Sequence, residues 1–231
     1  MSEEIRNMFA GISDSYDRLN DILSLGIHKK WKKLAVETAM KDKGRQGSYL
    51  DCASGTGDLA LLLKAFSSGN AKVTALDFTA EMLRIAGERA DALGFDIEMI
   101  LADVLQMPLR DNSYDAALIA YGIRNTDSTV KCLEEMARVV RKGGRVVILE
   151  FGKPKFPMSL PYGLYARVVM PLVGKAVSGS SNAYSYLPES SMKYPCGSDF
   201  LNIMDSTQKF ISTEYRTLSG GISYLYTGIV K

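Results

Sequence analysis

The spacing of apolar and polar residues predicts an alternation of strands and helices. Ser48-Tyr-Leu-Asp-Cys-Ala53 reads as a short apolar strand with an acid near its end. Leu59, Leu62, Leu63 and Phe66 then recur at helical spacing over Asp58 to Phe66. Lys72-Val-Thr-Ala-Leu-Asp77 is a second strand ending in an acid, and Ala80 to Leu93 is a helix with Met82, Leu83, Ala86 and Ala90 on one side. Ile97 to Asp103 is a third strand, again ending in an acid. Tyr114 to Tyr121 is a fourth, almost wholly apolar, as expected of a strand buried on both faces. Asp127 to Arg141 carries Val130, Leu133, Ala137 and Val140 on one helical stripe. Lys142-Gly143-Gly144 ends that helix, and Arg145 to Phe151 is a fifth strand.

Strands alternating with helices predict βαβ units and an α/β fold, a parallel sheet with helices on both faces. The pattern changes after Pro154. Residues 154–195 hold most of the chain's seven prolines and a cluster of tyrosines, which suggests an insertion over the sheet. Phe210 to Leu218 and Ile222 to Val230 then form a closing hairpin around Ser219-Gly220-Gly221. The expected organisation is one domain over residues 1–231: a helical N-terminal extension (1–47), a core (48–153), an insertion (154–200) and the hairpin (201–231).

Composition narrows the picture by exclusion. A net charge of +2 gives no case for nucleic acid as a partner. Cys52, Cys132 and Cys196 form no C-x-x-C pair and read as reduced thiols of a cytoplasmic protein, with no metal site. The start, Met1-Ser-Glu-Glu, does not look like a signal peptide. No uninterrupted apolar run approaches the roughly 18 residues of a membrane span. The nearest, Leu160 to Val177, is broken by Arg167, Pro171, Gly174 and Lys175, so any membrane contact is expected to be peripheral.

Ligands of open parallel sheets bind at the carboxyl ends of the strands. Gly55 and Gly57 lie where the first strand turns into a helix, and glycine there permits positive φ and close backbone approach. Gly55-Thr-Gly57-Asp-Leu-Ala60 also fits the dinucleotide pattern G-x-G-x-x-A, with Asp77 about 20 residues on to hold a ribose. The glycine spacing alone therefore admits a nicotinamide cofactor. Three features favour S-adenosylmethionine. Asp51 precedes the glycines, where a carboxylate opposes a pyrophosphate but suits the cationic methionine end. The loop starts near residue 50, behind a helical extension. Asp103, in Leu101-Ala-Asp103-Val104, can accept from an adenine amino group. Any one of these acids is equally well read as a solvated loop residue or a helix cap. Three at the ends of three successive strands, beside a glycine loop, are not.

With Tyr121-Gly-Ile-Arg124-Asn125 added, the sequence resembles the ubiquinone/menaquinone biosynthesis C-methyltransferase family (UbiE/MenG) over nearly its whole length. The similarity includes the segment from Tyr16 to Trp31, the loop from Leu50 to Asp58, and Asp127 shortly after Arg124-Asn125. It continues through Glu134-Glu-Met-Ala-Arg138-Val, Gly143-Gly with Leu149-Glu150-Phe151, and Tyr184-Ser-Tyr186-Leu-Pro-Glu-Ser190. The opening and Arg-Asn segments are far more specific than the glycine loop. The resemblance implies a Rossmann-like fold: a mostly parallel seven-stranded sheet with helices on both faces and an antiparallel last strand. It implies methyl transfer to a ring carbon of a prenylated quinol, demethylmenaquinol first, and it puts Thr56, Asp77, Asp103 and Val104 on S-adenosylmethionine. Asp51, Gly55, Gly57, Phe78 and Ala120 complete the expected cofactor set, Ala120 standing where some members have serine. Tyr121 stands where phenylalanine is usual, Tyr226 where a histidine is frequent, and Gln208-Lys209-Phe210 where Ala-Gly-Phe is usual.

The chemistry requires the donor and a nucleophilic ring carbon to be held in line, and the phenolate to be stabilised. Arg124 is the first candidate partner of that phenolate, although its high pKa makes it a poor base, and a structural salt bridge is its alternative role. Asn125 could orient a hydroxyl. His28, the only histidine, could act as a base, the plainer reading being a surface or capping residue. Tyr121, Tyr184 and Tyr186 are candidates for the quinol pocket, and residues 154–200 for a substrate lid. Lys29, Lys30, Lys32 and Lys33 around Trp31 suit an anionic membrane surface or, more simply, a solvated helix face. Met158, Leu160, Leu164 and Val168 could form a greasy channel mouth or a homodimer patch. Other readings are a methyltransferase of the ubiquinone precursor or another small acceptor, a non-catalytic cofactor-binding scaffold, and an NAD-dependent oxidoreductase. The last explains neither Asp51 nor Asp103.

Overall fold

The computed structural model describes residues 24, 26–165 and 191–231. Its elements run α1 (Ile27–Ala39), β1 (Ser48–Cys52), α2 (Asp58–Phe66), β2 (Lys72–Asp77), α3 (Ala80–Ala92), β3 (Glu98–Leu101) and β4 (Tyr114–Ala120). They continue with α4 (Thr129–Val139), β5 (Val140–Phe151), α5 (Ser159–Leu164), α6 (Ser198–Ser206), β6 (Phe210–Leu218) and β7 (Ser223–Val230). The seven strands form one sheet in the order β3-β2-β1-β4-β5-β7-β6. Neighbours from β3 to β5 are parallel, and β7 runs antiparallel to both β5 and β6. The order reverses between β1 and β4. Side chains and loops from both halves of the sheet therefore converge beyond the carboxyl ends of those two strands.

The strands' two-residue period sorts their side chains into two cores. Tyr49, Val73, Ala75, Leu118, Val147 and Leu149 face Trp31, Ala35 and Val36 of α1 and Leu59, Ala60 and Leu63 of α2. Leu50, Cys52, Leu76, Ala117, Ile119 and Ile148 face Cys132, Leu133 and Met136 of α4 and Phe200 and Met204 of α6. The central strands are buried on both sides, which is why they read as unbroken apolar runs. Helix α1 spans the height of the sheet. Asp42, just beyond its end, binds Arg145 at 2.7 Å near the start of the parallel part of β5. Lys32, near its beginning, binds Asp58 at 2.6 Å at the opposite, ligand-facing edge.

Two elements depart from the sequence reading. The third strand stops at Leu101, so Asp103 lies in the following turn, not at the strand end. β3 is an edge strand, and the Asp103 carboxylate accepts the Leu105 N–H at 2.9 Å, which bends the chain away from the sheet. The fourth long helix ends at Val139, and Lys142-Gly143-Gly144 lies within β5 instead of closing the helix. Val140 already pairs with Tyr114, and the register then shifts across the glycines. Gly144 fits there because a Cβ would come within 2.6 Å of the Asp115 carbonyl.

Candidate functional site

The loop from β1 to α2 is shaped by left-handed residues. Ala53, Gly55 and Gly57 have φ of 50°, 54° and 84°. Gly57 is the residue before α2, and a Cβ on it would lie 2.9 Å from the Ala86 Cβ. The Ser54 N–H donates to the Leu76 carbonyl at 3.0 Å, and the Gly57 N–H donates to the Ser54 carbonyl at 2.9 Å, which curls the chain over the strand ends. A Cβ at Gly55 would meet no protein atom within 4 Å, so its backbone is open to close approach.

The three expected acids sit around this loop in different states. Asp51 is 1% exposed, and its Oδ2 accepts the Ala60 N–H at 3.0 Å from the first turn of α2. Burial pushes its carboxyl up to about 8, against the pull of that hydrogen bond and of Lys32. Asp77 holds the loop from the other side. Its Oδ2 accepts the Gly55 N–H and its Oδ1 the Thr79 N–H, both at 2.8 Å. Burial raises its pKa and these donors oppose the rise. The Phe78 N–H and the Thr79 side chain add to these donors. Asp103 is exposed beyond β3, and Val104 beside it is buried. Phe78 and Ala120 are half-buried at the ends of β2 and β4, and Thr56 is buried within the loop.

A charged clasp fixes the loop to two helices. Lys32 of α1 binds Asp58 Oδ2 at 2.6 Å, and Arg89 of α3 binds Asp58 Oδ1 at 2.8 Å. Arg89 also donates to the Thr56 carbonyl at 2.8 Å. Burial alone would raise the Asp58 pKa, but Lys32 and Arg89 together hold it at about 2. The lysine cluster is thereby divided: Lys32 is buried in the clasp, Trp31 packs in the core, and Lys29, Lys30 and Lys33 are exposed.

Arg124 follows β4 on a short 3-10 turn, Ile123–Asn125. It forms a salt bridge with Glu150 of β5 at 2.7 Å, with side-chain exposures of 1% and 2%. Its Nη1 also donates to the Tyr121 carbonyl at 2.6 Å. Tyr121 has φ of 58°, a strained setting that costs about 1–3 kcal/mol and is offset here by its charge-assisted hydrogen bond. Glu150 Oε1 further accepts the Phe151 N–H at 2.8 Å. The Phe151 ring lies 5.4 Å from the guanidinium and stacks on Tyr121 at 4.2 Å between centroids. Burial pushes the Glu150 carboxyl above its ordinary range, with Arg124 opposing. The Arg124 Nε is buried and, among the described residues, has no hydrogen-bond acceptor. An unmatched buried donor costs about 1–3 kcal/mol, so its persistence calls for a role. Tyr162, Tyr194 and Tyr226 interact electrostatically with the pair. The Tyr194 hydroxyl pairs with Thr129 Oγ1, and the Tyr226 hydroxyl accepts the Gly197 N–H, each at 2.7 Å.

The structure therefore gathers Asp51, Gly55, Thr56, Gly57, Asp77, Phe78, Asp103, Val104, Ala120, Tyr121, Arg124 and Asn125 at the carboxyl ends of β1 to β4. His28 is not the surface or capping residue of the plainer reading. It is buried on the second position of α1, and its Nδ1 meets the Ser24 hydroxyl. Tyr184, Tyr186 and Val168 lie outside the described residues. Glu150 was noticed in the sequence only as part of a matching motif. An acid ending the apolar run Val146 to Leu149 is the same signal that selected Asp77. Ser54, whose buried Oγ has no partner among the described residues, gave no pattern of its own.

Comparison with known proteins agrees with this geometry. Solved structures with the same fold include a SAM-dependent methyltransferase from Thermotoga maritima, described as a possible histamine N-methyltransferase. It has a TM-score of 0.65 at 18% identity, covering 97% of this chain and 99% of that one. A SAM dependent methyltransferase from Aquifex aeolicus gives 0.60 at 19% identity, covering 85% and 89%. These neighbours identify the sheet as the Rossmann-like methyltransferase fold. Among curated relatives, the Ubiquinone/menaquinone biosynthesis C-methyltransferase UbiE of Bdellovibrio bacteriovorus is 45% identical over 230 residues, 99% of this chain and 97% of that protein. The Demethylmenaquinone methyltransferase of Thermus thermophilus is 40% identical over 222 residues, covering 96% and 99%. The family model described as the ubiE/COQ5 methyltransferase family matches residues 1–230, and the chain belongs to that family.

Proposed function

We propose that this protein transfers a methyl group from S-adenosylmethionine to a ring carbon of a prenylated quinol, with demethylmenaquinol as the leading acceptor. The observation that carries the reading is the buried Arg124 against the Phe151 ring, on which Tyr121 stacks, at the edge where the glycine loop also opens. A permanent cation in an aromatic surround suits a flat ring whose oxygen becomes anionic. The donor set suits S-adenosylmethionine: Asp77 ends β2 beside the glycine loop, where a ribose would lie, Asp103 is exposed for the adenine amino group, and Asp51, its carboxyl pushed up to about 8, would give up its proton to face the cation from below the loop. Asp51 would act on the methionine end through its charge, since its Oδ2 is engaged by α2. S-adenosylmethionine, when bound, supplies the activated methyl group. The protein's residues hold the acceptor in line and stabilise the phenolate.

The Bdellovibrio relative is named for both quinones and the Thermus relative for demethylmenaquinone, so both acceptor types belong in the test. Purified protein is incubated with methyl-labelled S-adenosylmethionine and a reduced short-chain demethylmenaquinone, and in parallel with the matching ubiquinone precursor. Labelled methylmenaquinol is the expected product. Cofactor binding without any methylated quinol would refute the acceptor. A peripheral membrane contact belongs to the same reading, because a prenyl tail resides in lipid. Phe156 is 81% exposed and follows the exposed Lys153 and Lys155. This turn shares the ligand-facing edge of the sheet with Ile27, Lys29 and Lys30, a pattern suited to an anionic interface.

A further inference from the structure

The Arg124–Glu150 pair has a feature that a stabilising salt bridge does not need. Nη1 is consumed twice, by Glu150 Oε1 at 2.7 Å and by the Tyr121 carbonyl at 2.6 Å. Glu150 is itself held, since its Oε1 accepts the Phe151 N–H at 2.8 Å and its Oε2 accepts the Arg124 N–H at 3.4 Å. Ser223 Oγ donates to the Glu150 carbonyl at 3.0 Å and ties that residue to β7. The guanidinium is thus gripped through Nη1 by two fixed acceptors, the Glu150 carboxylate and the Tyr121 carbonyl, while Nε remains buried and unpaired among the described residues. Most buried donors in folded proteins are paired, and one left open on a charged group beside the switch point is the exception that asks for a partner.

We propose that Glu150 is a positioning residue: it grips Arg124 through Nη1, so that the Nε–H is reserved for the oxygen of the acceptor ring. The inference rests on the quinol reading above. In the step it serves, the acceptor hydroxyl first gives its proton to solvent, and Nε–H donates to the phenolate oxygen. The ring carbon beside that oxygen then attacks the methyl carbon. A carbon–carbon bond forms, the carbon–sulfur bond breaks, and its electron pair stays on sulfur as a neutral thioether. The ring proton at the methylated carbon leaves to solvent as aromaticity returns. Arg124 acts by raising the phenolate fraction, not by taking a proton. Tyr162 of α5 and Tyr194 before α6 interact electrostatically with Arg124, and Tyr194 and Tyr226 of β7 with Glu150 of β5. Burial raises all three phenols, so they stay neutral near pH 7.

The test is the pH dependence of kcat for Glu150→Gln, which keeps the shape and an acceptor oxygen but loses the charge. The acceptor is the reduced short-chain demethylmenaquinone. Expected are a fall in kcat of about 10- to 100-fold at pH 7, an acid limb moved to higher pH, and unchanged S-adenosylmethionine affinity. An unmoved limb with normal kcat overturns the inference, and so does a limb that disappears, since that limb would be the titration of Glu150 itself. A wild type inactive on the quinol overturns the acceptor reading, and this inference with it. A second measurement needs only wild-type protein. With 15N-arginine labelling, the Arg124 Nε–H resonance, assigned by its loss in Arg124→Lys, should move downfield when 1-naphthol binds. A resonance that stays in place as naphthol saturates the site overturns the reserved donor even if Glu150→Gln does not fold.

Discussion

Asp58→Asn should destabilise the protein by about 2–3 kcal/mol at pH 7, and most of that loss should vanish by about pH 2. Asp58 is held at about 2 in the fold, against 3.8 for the free group. At about 1.36 kcal/mol per unit, the depression corresponds to roughly 2 kcal/mol of stability. The side chain is 24% exposed and Lys32 only 11%, so solvent screens the clasp weakly, and the variant also strands the lysine. The sign follows from the direction of the shift. A carboxyl with a depressed folded pKa stabilises above its unfolded pKa, and that contribution is lost as pH falls from about 4 through about 2. Urea unfolding of wild type and variant at pH 7, 5, 3 and 2 measures the difference, with equal m-values required for a valid comparison. A difference that is constant across this range, or below about 0.5 kcal/mol at pH 7, would refute the argument that the clasp stabilises through ionised Asp58.

Three further outcomes follow from the same geometry. Asp77→Ala should weaken S-adenosylmethionine binding by at least about tenfold in calorimetry, because it removes the ribose acceptor and releases the Gly55 N–H that shapes the loop; an unchanged affinity would remove the ribose role. Affinity for this cationic donor should rise between pH 6 and 9, with proton release, because Asp51 is pushed up to about 8 and a cation favours its charged form; Asp51→Asn should abolish the proton release seen across buffers of different ionisation enthalpy, and its survival would exclude Asp51. Phe156→Ser combined with Lys155→Glu should reduce sedimentation with vesicles of phosphatidylcholine and 30% phosphatidylglycerol, without lowering turnover of a short-chain acceptor; equal sedimentation would dismiss the turn as a membrane contact.

The alternation of elements was legible because it depends on local periodicity. The five parallel strands and the closing hairpin follow the expected runs to within a few residues, and β7 is the antiparallel strand of the sheet. The misplacements have tertiary causes. Lys142-Gly143-Gly144 carries a helix-stop pattern, but Val140 already finds a strand partner in Tyr114, so β5 begins before the glycines. Ile97 to Asp103 has strand composition, but as an edge strand β3 has one neighbour, and the Asp103 turn ends it early. His28 reads in the sequence as a candidate base or, more plainly, a surface or capping residue, whereas α1 turns that position inward. The division of the lysines has the same origin: helical spacing does not reveal that Asp58, 26 positions away, waits for Lys32.

The strand-end rule selected residues well and roles less well. Asp51, Asp77, Asp103 and Glu150 are all acids near the carboxyl ends of strands, and pattern alone treats them as equivalent. What separates them is the partner that strand order brings to each. Asp51 lies on a central strand directly beneath α2, so an oxygen is spent on the helix and its influence above the loop is electrostatic. Asp77, one strand outward, meets the loop from the side and is gripped by the Gly55 and Thr79 N–H groups, with the Phe78 N–H and the Thr79 side chain adding to them. Asp103 lies beyond the edge strand and remains exposed. Glu150 stands across the switch point, where the loop after β4 delivers a cation to it. The donor half of the site, on β1 to β3, is thus built from acids. The acceptor half, on β4 and β5, is built from an arginine that one acid holds in place. That asymmetry matches a reaction in which a cation surrenders a methyl group to an anionic ring.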